Sequence, residues 1–441
     1  MNGWRDYTMK KISYMFLYAI ITIQLCSCSS TNSYVSGGVF LQSNSSSSQD
    51  DKQNVSSAAS EALSSEKYNS NNDLKVPDNM NQQQGYSFLN DTTERQLYLL
   101  FKERSTKVSN VKNVKGYYEL EAININSKLT DKTIKKVYNA FEYDNPQIFW
   151  LSSTFAFANT GSTTEVKLYS VYSASQVKQM QTKLNSALNK AIASVNGVSS
   201  QYEKEKKIHD WLVNQSKYDI SATSGDHLSF TAYGAMVNGK AVCQGYARAM
   251  QLMLNSVGIE CVTIVGKSKN ESHMWNVVKI DGEWYHLDST WNDSSNSNIY
   301  DYFNVTDDII KYDHVVSPIY DKATTDVYNI MLPKCTSMKA NYFELNAVKV
   351  DTLDENCDKL VIDELSKVAY NKLKVIYIKF GDSLDYESSI NKFFLTAPYK
   401  FSYYISVVND SVDNEHKIDA EKVTFVKRKA QNAVTVNINY S

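Results

Sequence analysis

Along residues 88–195 the spacing of apolar side chains switches between helical and strand periods. Leu97, Leu100, Phe101 and Arg104 mark an amphipathic helix, Tyr118 to Ile125 alternates as a strand does, and Ile134, Val137, Tyr138 and Phe141 return to helical spacing. That last helix is expected to stop before Asn145-Pro146, because the residue preceding proline is driven out of the helical region. Phe149–Ala158 and Thr164–Tyr172 read as two strands joined by residues 159–163, and Val177, Met180, Leu184, Leu188 and Ile192 form another helical stripe. The pattern predicts a small α+β module over residues 88–198.

A new helix is announced by Ser200 with Glu203 three residues on, a capping-box pair in which each side chain serves the other's backbone N–H. Its apolar face runs through Ile208, Trp211 and Leu212, and a central domain is placed over residues 199–318. Over residues 319–441 the chain again mixes expected strands, Lys374–Phe380, Phe401–Val408 and Val434–Tyr440, with a helical stretch over Tyr386–Phe394. The expected class is α+β throughout the folded part, with no repeat of fixed period.

The first 87 residues follow different rules. Lys10 and Lys11 precede an apolar run, Ile12 to Leu25, that is too short for a comfortable membrane span and reads as an export signal. The run ends in Leu25-Cys26-Ser27-Cys28, which resembles the lipobox of bacterial lipoproteins. That resemblance implies a signal peptide over residues 1–28, lipidation of Cys28, and an extracytoplasmic protein held at a membrane by acyl chains without spanning it. Residues 29–87 are dominated by Ser, Asn, Gln and Asp and carry too few apolar groups to offset the entropy of folding, so they are expected to form a disordered tether.

Charge narrows the functional classes. Lysine and arginine number 46 against 48 acidic residues, a net charge of −2 that supplies no field for drawing in nucleic acid. With Cys26 and Cys28 assigned to the signal, Cys243, Cys261, Cys335 and Cys357 remain; that is no disulfide framework, although a Cys335–Cys357 pair stays open. Neither a C-x-x-C nor an H-x-x-x-H pair occurs among these residues and the histidines, so no metal and no cofactor is expected.

The sharpest chemical signal begins at Gly239-Lys240-Ala241-Val242-Cys243-Gln244-Gly245-Tyr246. Ala247, Met250, Leu254 and Val257 then follow at helical spacing up to Gly258, so Cys243 is expected at a helix N-terminus. Unpaired N–H groups and the positive end of the helix dipole favour a thiolate there and could also face an oxyanion. The same spacing puts Cys243 on the buried stripe, where cysteine is common as plain core. Cys261, between Gly258 and the apolar run Val262–Val265, has no such helix start and is expected to be core.

A thiol nucleophile needs a base. His273–Ile280 and Glu283–Thr290 read as strands joined by Asp281-Gly282, a two-residue hairpin signal that pairs Ile280 with Glu283. Trp275 then falls opposite Asp288 and His273 opposite Thr290, which makes His273 and Asp288 diagonal neighbours on one face, close enough for a carboxylate to orient an imidazole. His286 shares that face and is the rival base, set aside because it lies farther from the open end; His209, His227, His314 and His416 have no comparable arrangement.

Val-Cys-Gln-Gly-Tyr-Ala at Cys243, His-Met-Trp-Asn at His273 and Trp-Tyr-His-Leu-Asp-Ser-Thr-Trp around Asp288 together resemble the bacterial transglutaminase-like superfamily over residues 199–318. Tyr302-Phe303-Asn304-Val305 with Asp313-His314 resembles the segment that closes such domains, and Asp144-Asn145-Pro146 with Phe149-Trp150 a module found before them. Ala241 and Ser289 stand where glycine and proline are common, and neither departure removes a chemical group.

The resemblance implies a papain-like core with Cys243 as nucleophile, His273 as base and Asp288 orienting it, acting on protein or peptide amides through a thioester. By analogy Tyr218 is a candidate second oxyanion donor. Hydrolysis, as by a peptidase or amidase, is the expected outcome. The alternatives are a protein cross-linking transglutaminase and a catalytically silent adhesin or scaffold.

Overall fold

The computed structural model describes residues 84–223, 225–293, 299–322 and 326–440. The expected signal segment with Cys28, and residues 29–83 of the expected tether, lie outside the described residues.

Helix α1 (Gln84–Phe88) occupies the end of the stretch expected to be unstructured. Its cause is remote: the Asp144 carboxylate accepts from Gly85 N at 2.7 Å and Tyr86 N at 2.9 Å, satisfying N–H groups that a helix start leaves open. Burial pushes Asp144 up to about 6, against the pull of those N–H groups and of the Tyr98 hydroxyl. Helix α2 (Thr92–Arg104) is capped by Asp91, whose carboxylate accepts from Thr93 N and Glu94 N.

Strands β1 (Val108–Lys112), β2 (Tyr118–Leu120) and β3 (Ile123–Ile125) follow, the alternating run 118–125 breaking into two short strands. Helix α3 (Asp131–Asp144) ends before Pro146 as expected. Strands β4 (Leu151–Thr160) and β5 (Thr163–Ser170) complete a sheet ordered β1-β2-β5-β3, with β4 also on β5. Helix α4 (Ala174–Ala193) starts in a full capping box of Ser173 and Gln176.

Helix α5 (Gln201–Gln215) is capped by Ser200, whose hydroxyl accepts from Glu203 N. Short parallel strands β6 (Lys217–Tyr218) and β7 (Lys240–Ala241) lead into helix α6 (Cys243–Ser256). An antiparallel sheet then forms from β8 (Cys261–Ser268), β9 (Glu271–Ile280), β10 (Glu283–Leu287), β11 (Phe303–Val305) and β12 (His314–Val316), ordered β11-β10-β9-β8-β12. Helix α7 (Asp307–Ile310) links β11 to β12, and a small hairpin, β13 (Tyr320–Asp321) with β14 (Asp326–Val327), follows.

The C-terminal module contains α8 (Tyr342–Asn346), β15 (Val348–Val350), α9 (Glu355–Tyr370), β16 (Val375–Phe380), α10 (Tyr386–Ile390), α11 (Lys400–Ser411), β17 (Thr424–Arg428) and β18 (Ala433–Asn437). Its sheet is ordered β15-β16-β18-β17, with β15 and β16 parallel. The expected strand over Phe401–Val408 is helix α11. Phe401, Tyr404, Ile405 and Val408 are its buried residues, the spacing of one helical face, and periodicity prevails over the strand preference of aromatic and β-branched side chains.

Fold class is as expected, mixed helix and sheet, but the modules are not packed alike. Phe141 and Trp150 of the N-terminal module share one apolar core with Tyr246, Met250 and Leu254 of α6 and with Tyr285 of β10. Gln251 Nε2 of α6 also donates to Tyr143 O at 2.9 Å. Most of the C-terminal module packs around a core of its own, with Phe380, Phe393, Tyr404 and Val434, while Tyr342 of α8 joins the shared core and Arg428 Nη1 pairs with Asp301 Oδ2 at 2.8 Å.

Candidate active site

Cys243 is the first residue of α6, preceded by Val242 as an extended cap with no side-chain bond of its own. The β6–β7 pair beneath it is braced by Asp219, which accepts from Ser221 Oγ and Ser229 Oγ, both at 2.8 Å, and pairs with Lys240 Nζ at 2.8 Å. Burial works against charge on Asp219, yet Lys240 and the serine donors outweigh it and hold the carboxyl down to about 2. Val242 N donates to Ser229 O at 2.9 Å, so the 219–229 loop fixes where the helix begins. Gly245 is required by this approach: a Cβ there would lie 2.7 Å from both Ala241 Cβ and Ser229 O. Tyr218 pairs with Ala241, which puts the candidate oxyanion donor beside the strand that delivers the cysteine.

The sulfur has two kinds of neighbour. Cys243 is 2% exposed and packs with Ala247, Val265 and Met274, with Tyr328 against the group. It also lies near enough to His273 to favour the imidazolium. Cys261 heads β8 in full burial, and desolvation, with Glu205 nearby, pushes its thiol well above the ordinary range. The four described cysteines are free thiols, so Cys335 and Cys357 do not pair; Cys335 packs beside Trp275 and Cys357 in the C-terminal core.

The hairpin has the expected register, from Glu283 opposite Ile280 to Leu287 opposite Asn276. Its two-residue turn takes φ values of 49° at Asp281 and 90° at Gly282, the positive-φ geometry of such a hairpin. Strand β10 ends at Leu287, however, so Asp288 stands just past the ladder. Its Oδ1 accepts from Thr290 N at 2.9 Å and Trp291 N at 3.1 Å. Its Oδ2 accepts from His273 Nε2 at 2.6 Å and His314 Nε2 at 3.2 Å, so four donors fill one fully buried carboxylate.

Desolvation disfavours charge on both partners, but their mutual attraction prevails: Asp288 is held below the usual carboxylate range and His273 above the usual imidazole range. With Nε2 on Asp288, Nδ1 is the ring nitrogen left for the thiol. The Tyr246 hydroxyl donates to Asp293 Oδ2 at 2.6 Å, tying the loop after Asp288 to the helix that begins at Cys243.

His286, the rival base, has both nitrogens engaged. Trp275 Nε1 donates to its Nδ1 at 3.0 Å, and its Nε2 donates to Asp307 Oδ1 at 2.9 Å. His314, set aside as isolated on sequence spacing, is instead part of the site, because β12 pairs with β8 and brings it onto Asp288. The signal that could have found it is the Asp313-His314 doublet.

Two sets of donors lie close enough to consider a metal: His273, Asp288 and His314, and separately His286, Asp307 and Cys335. In both, the imidazole Nε2 that would have to bind the ion already carries a proton given to a carboxylate. For His286, moving that proton to Nδ1 would set two N–H groups, its own and that of Trp275, against each other. The His286 set thus fits a hydrogen-bonded network better than an ion.

Residues 188–289 match the sequence model of the transglutaminase-like superfamily. The kyphoscoliosis peptidase of Mus musculus is 29% identical over 125 residues, covering 25% of this chain and 19% of that protein. Its Homo sapiens counterpart is 30% identical over 102 residues, covering 20% and 15%. The chain thus spans less than a fifth of the length of these curated relatives. A crystal structure of a TGase is similar over 40% of this chain and 53% of its own, with 19% identity and a TM-score of 0.23. The central part of this chain, residues 188–289, belongs to the transglutaminase-like superfamily.

Proposed function

We propose that the protein is a thiol acyltransferase acting on protein or peptide amides, with water as the usual acceptor. The observation that carries the reading is the His273 imidazole, held through Nε2 on the buried Asp288 carboxylate at 2.6 Å, with Cys243 near enough to favour the imidazolium. In this reaction His273 takes the thiol proton and Cys243 Sγ bonds to the amide carbonyl carbon, the carbonyl π pair moving to oxygen. Collapse of that adduct breaks the C–N bond, His273 returns the proton to the leaving amine, and a thioester remains. Water, deprotonated by His273, then displaces the sulfur to release the acid. A lysine amine in place of water would give a cross-link by the same steps. The start of α6, which has no side-chain cap, supports a role for its first N–H groups as oxyanion donors, and peptidase-named relatives support hydrolysis.

The test is incubation of the protein with glutamine-containing peptides, with and without a primary amine, read by mass. Hydrolysed or deamidated product in both cases supports the reading, amine-conjugated product redirects it to cross-linking, and no product with either leaves a binding module. Cys243→Ala is expected to abolish turnover while folding survives, a loss of about 10³-fold or more.

For the N-terminus we propose lipid anchoring through Cys28 at an extracytoplasmic membrane face. Metabolic labelling with a fatty-acid probe should mark the wild type and not Cys28→Ala; equal labelling would remove the proposal. No helix among the described residues is long and apolar enough to cross a membrane.

A further inference from the structure

We propose that His314 is a positioning residue of the Cys243–His273–Asp288 site, a buried imidazolium that shares the Asp288 oxygen used by His273 and thereby limits how firmly His273 keeps its proton. The inference rests on the thiol reading above and extends it to a fourth side chain.

The geometry leaves little freedom. His314 is 2% exposed on the edge strand β12. Its Nδ1 lies 2.6 Å from Asp313 Oδ1 and its Nε2 lies 3.2 Å from Asp288 Oδ2. Carboxylates offer only lone pairs, so both ring nitrogens must present N–H and the ring is cationic. Burial works against that charge, and the two carboxylates overcome it, raising His314 above the ordinary imidazole range.

The other titratable groups facing it are His273, whose charge opposes its own, and Tyr302, whose hydroxyl donates to Asp313 Oδ2. Rings of His273, Trp275, Trp291 and Tyr302 enclose it, with centroids 5.2–5.5 Å away, and Lys269 lies behind Trp291, 4.3 Å from that ring's centroid. Water therefore does little to screen the charge.

The consequence follows from electrostatics. With Asp288 alone, a buried imidazolium at His273 would be paired with one uncompensated carboxylate and would be slow to release its proton to a leaving amine. A second cation on the same oxygen divides that attraction. Occupying Oδ2 from the other side also keeps the carboxylate from rotating, so His273 Nε2 meets one fixed acceptor.

The experiment is a ¹⁵N-histidine NMR titration of the full chain in a Cys243→Ala background, with and without His314→Gln. Losing the cation should move the His273 midpoint upward by about one pH unit. An unmoved midpoint, or a downward one, overturns the proposal, since a purely structural histidine would not alter it in this direction. A readout free of the substitution comes from His314 itself in the Cys243→Ala protein: both ring nitrogens should be protonated at about pH 7.5, and a neutral ring there overturns the proposal even if His314→Gln fails to fold. Alkylation of Cys243 in the unsubstituted protein separates the two readings. A thiol with no reactivity in mild acid defeats the proposed chemistry whatever His314 does, whereas a reactive thiol with an unmoved His273 defeats only the role of His314.

Discussion

The Asn276 side-chain amide donates to Ala247 O at 3.0 Å, joining the strand that carries His273 to the helix that begins at Cys243. The same amide reaches Val262 O at 3.3 Å, so one fully buried group spans α6, β8 and β9. Asn276→Ala is expected to cost about 1–3 kcal/mol of stability, because it leaves buried carbonyls without their donor. Turnover should fall more than the loss of folded protein explains, through a misplaced helix start. Urea denaturation compared with kcat checks this; a stability loss with unchanged kcat would mean that Asn276 braces the fold only.

Asp288 and His273 predict how the pair contributes to stability with pH. The depressed Asp288 stabilises the fold above the ordinary carboxylate range, and that contribution is lost as pH falls through its folded value. The raised His273 contributes fully below the ordinary imidazole pKa, and that contribution is lost as pH rises through its folded value. The stability difference between wild type and Asp288→Asn should therefore be largest from weakly acidic to neutral pH and shrink on both sides. Denaturation midpoints across the pH range would show this, and a difference independent of pH would contradict the ion pair.

Glu205 works in the opposite sense. It is fully buried, Asn304 Nδ2 donates to its Oε2 at 2.7 Å, and its Oε1 lacks a hydrogen-bond partner among the described residues. Burial pushes it up to about 8 from an ordinary 4.5, against the pull of Asn304. The folded state thus holds a proton that the unfolded chain has lost, and stability falls as pH climbs between those values. Glu205→Gln should be more stable than wild type at about pH 8, by roughly 1–3 kcal/mol, and equal to it near pH ~4. Equal stability at both would show that the carboxyl titrates normally.

Tyr328 packs against the group that contains Cys243. Its segment is fastened to β8 by Asn329, which accepts from Val265 N at 2.8 Å and donates to Val265 O at 3.2 Å. Tyr328→Ala is expected to speed alkylation of Cys243 several-fold at constant pH while Cys261 stays protected. Peptide-resolved mass spectrometry measures both thiols in one sample, and an unchanged Cys243 rate would mean that access lies elsewhere.

Local signals carried much of the site. The Asp281-Gly282 turn set the hairpin register, and with it the closeness of His273 and Asp288, because a two-residue turn admits one pairing. Gly239, the following helical stripe and Gly258 placed Cys243 at a helix start for the same reason: dihedral preferences and side-chain period act within a few residues.

What escaped reading depends on partners far away in sequence. Helix α1 exists because Asp144, 59 residues beyond Gly85, satisfies its N–H groups. His314 lies 26 residues from Asp288 and meets it only because β12 docks on the far edge of the sheet. Sequence by itself thus determined the family of the central segment and the two elements that carry Cys243 and His273. Tertiary structure alone decided the shared core of the first two modules, the fourth donor on Asp288 and the helix at Phe401. Spacing along a chain records which face a residue occupies, whereas what that face meets is settled by packing and by the need of every buried polar group for a partner.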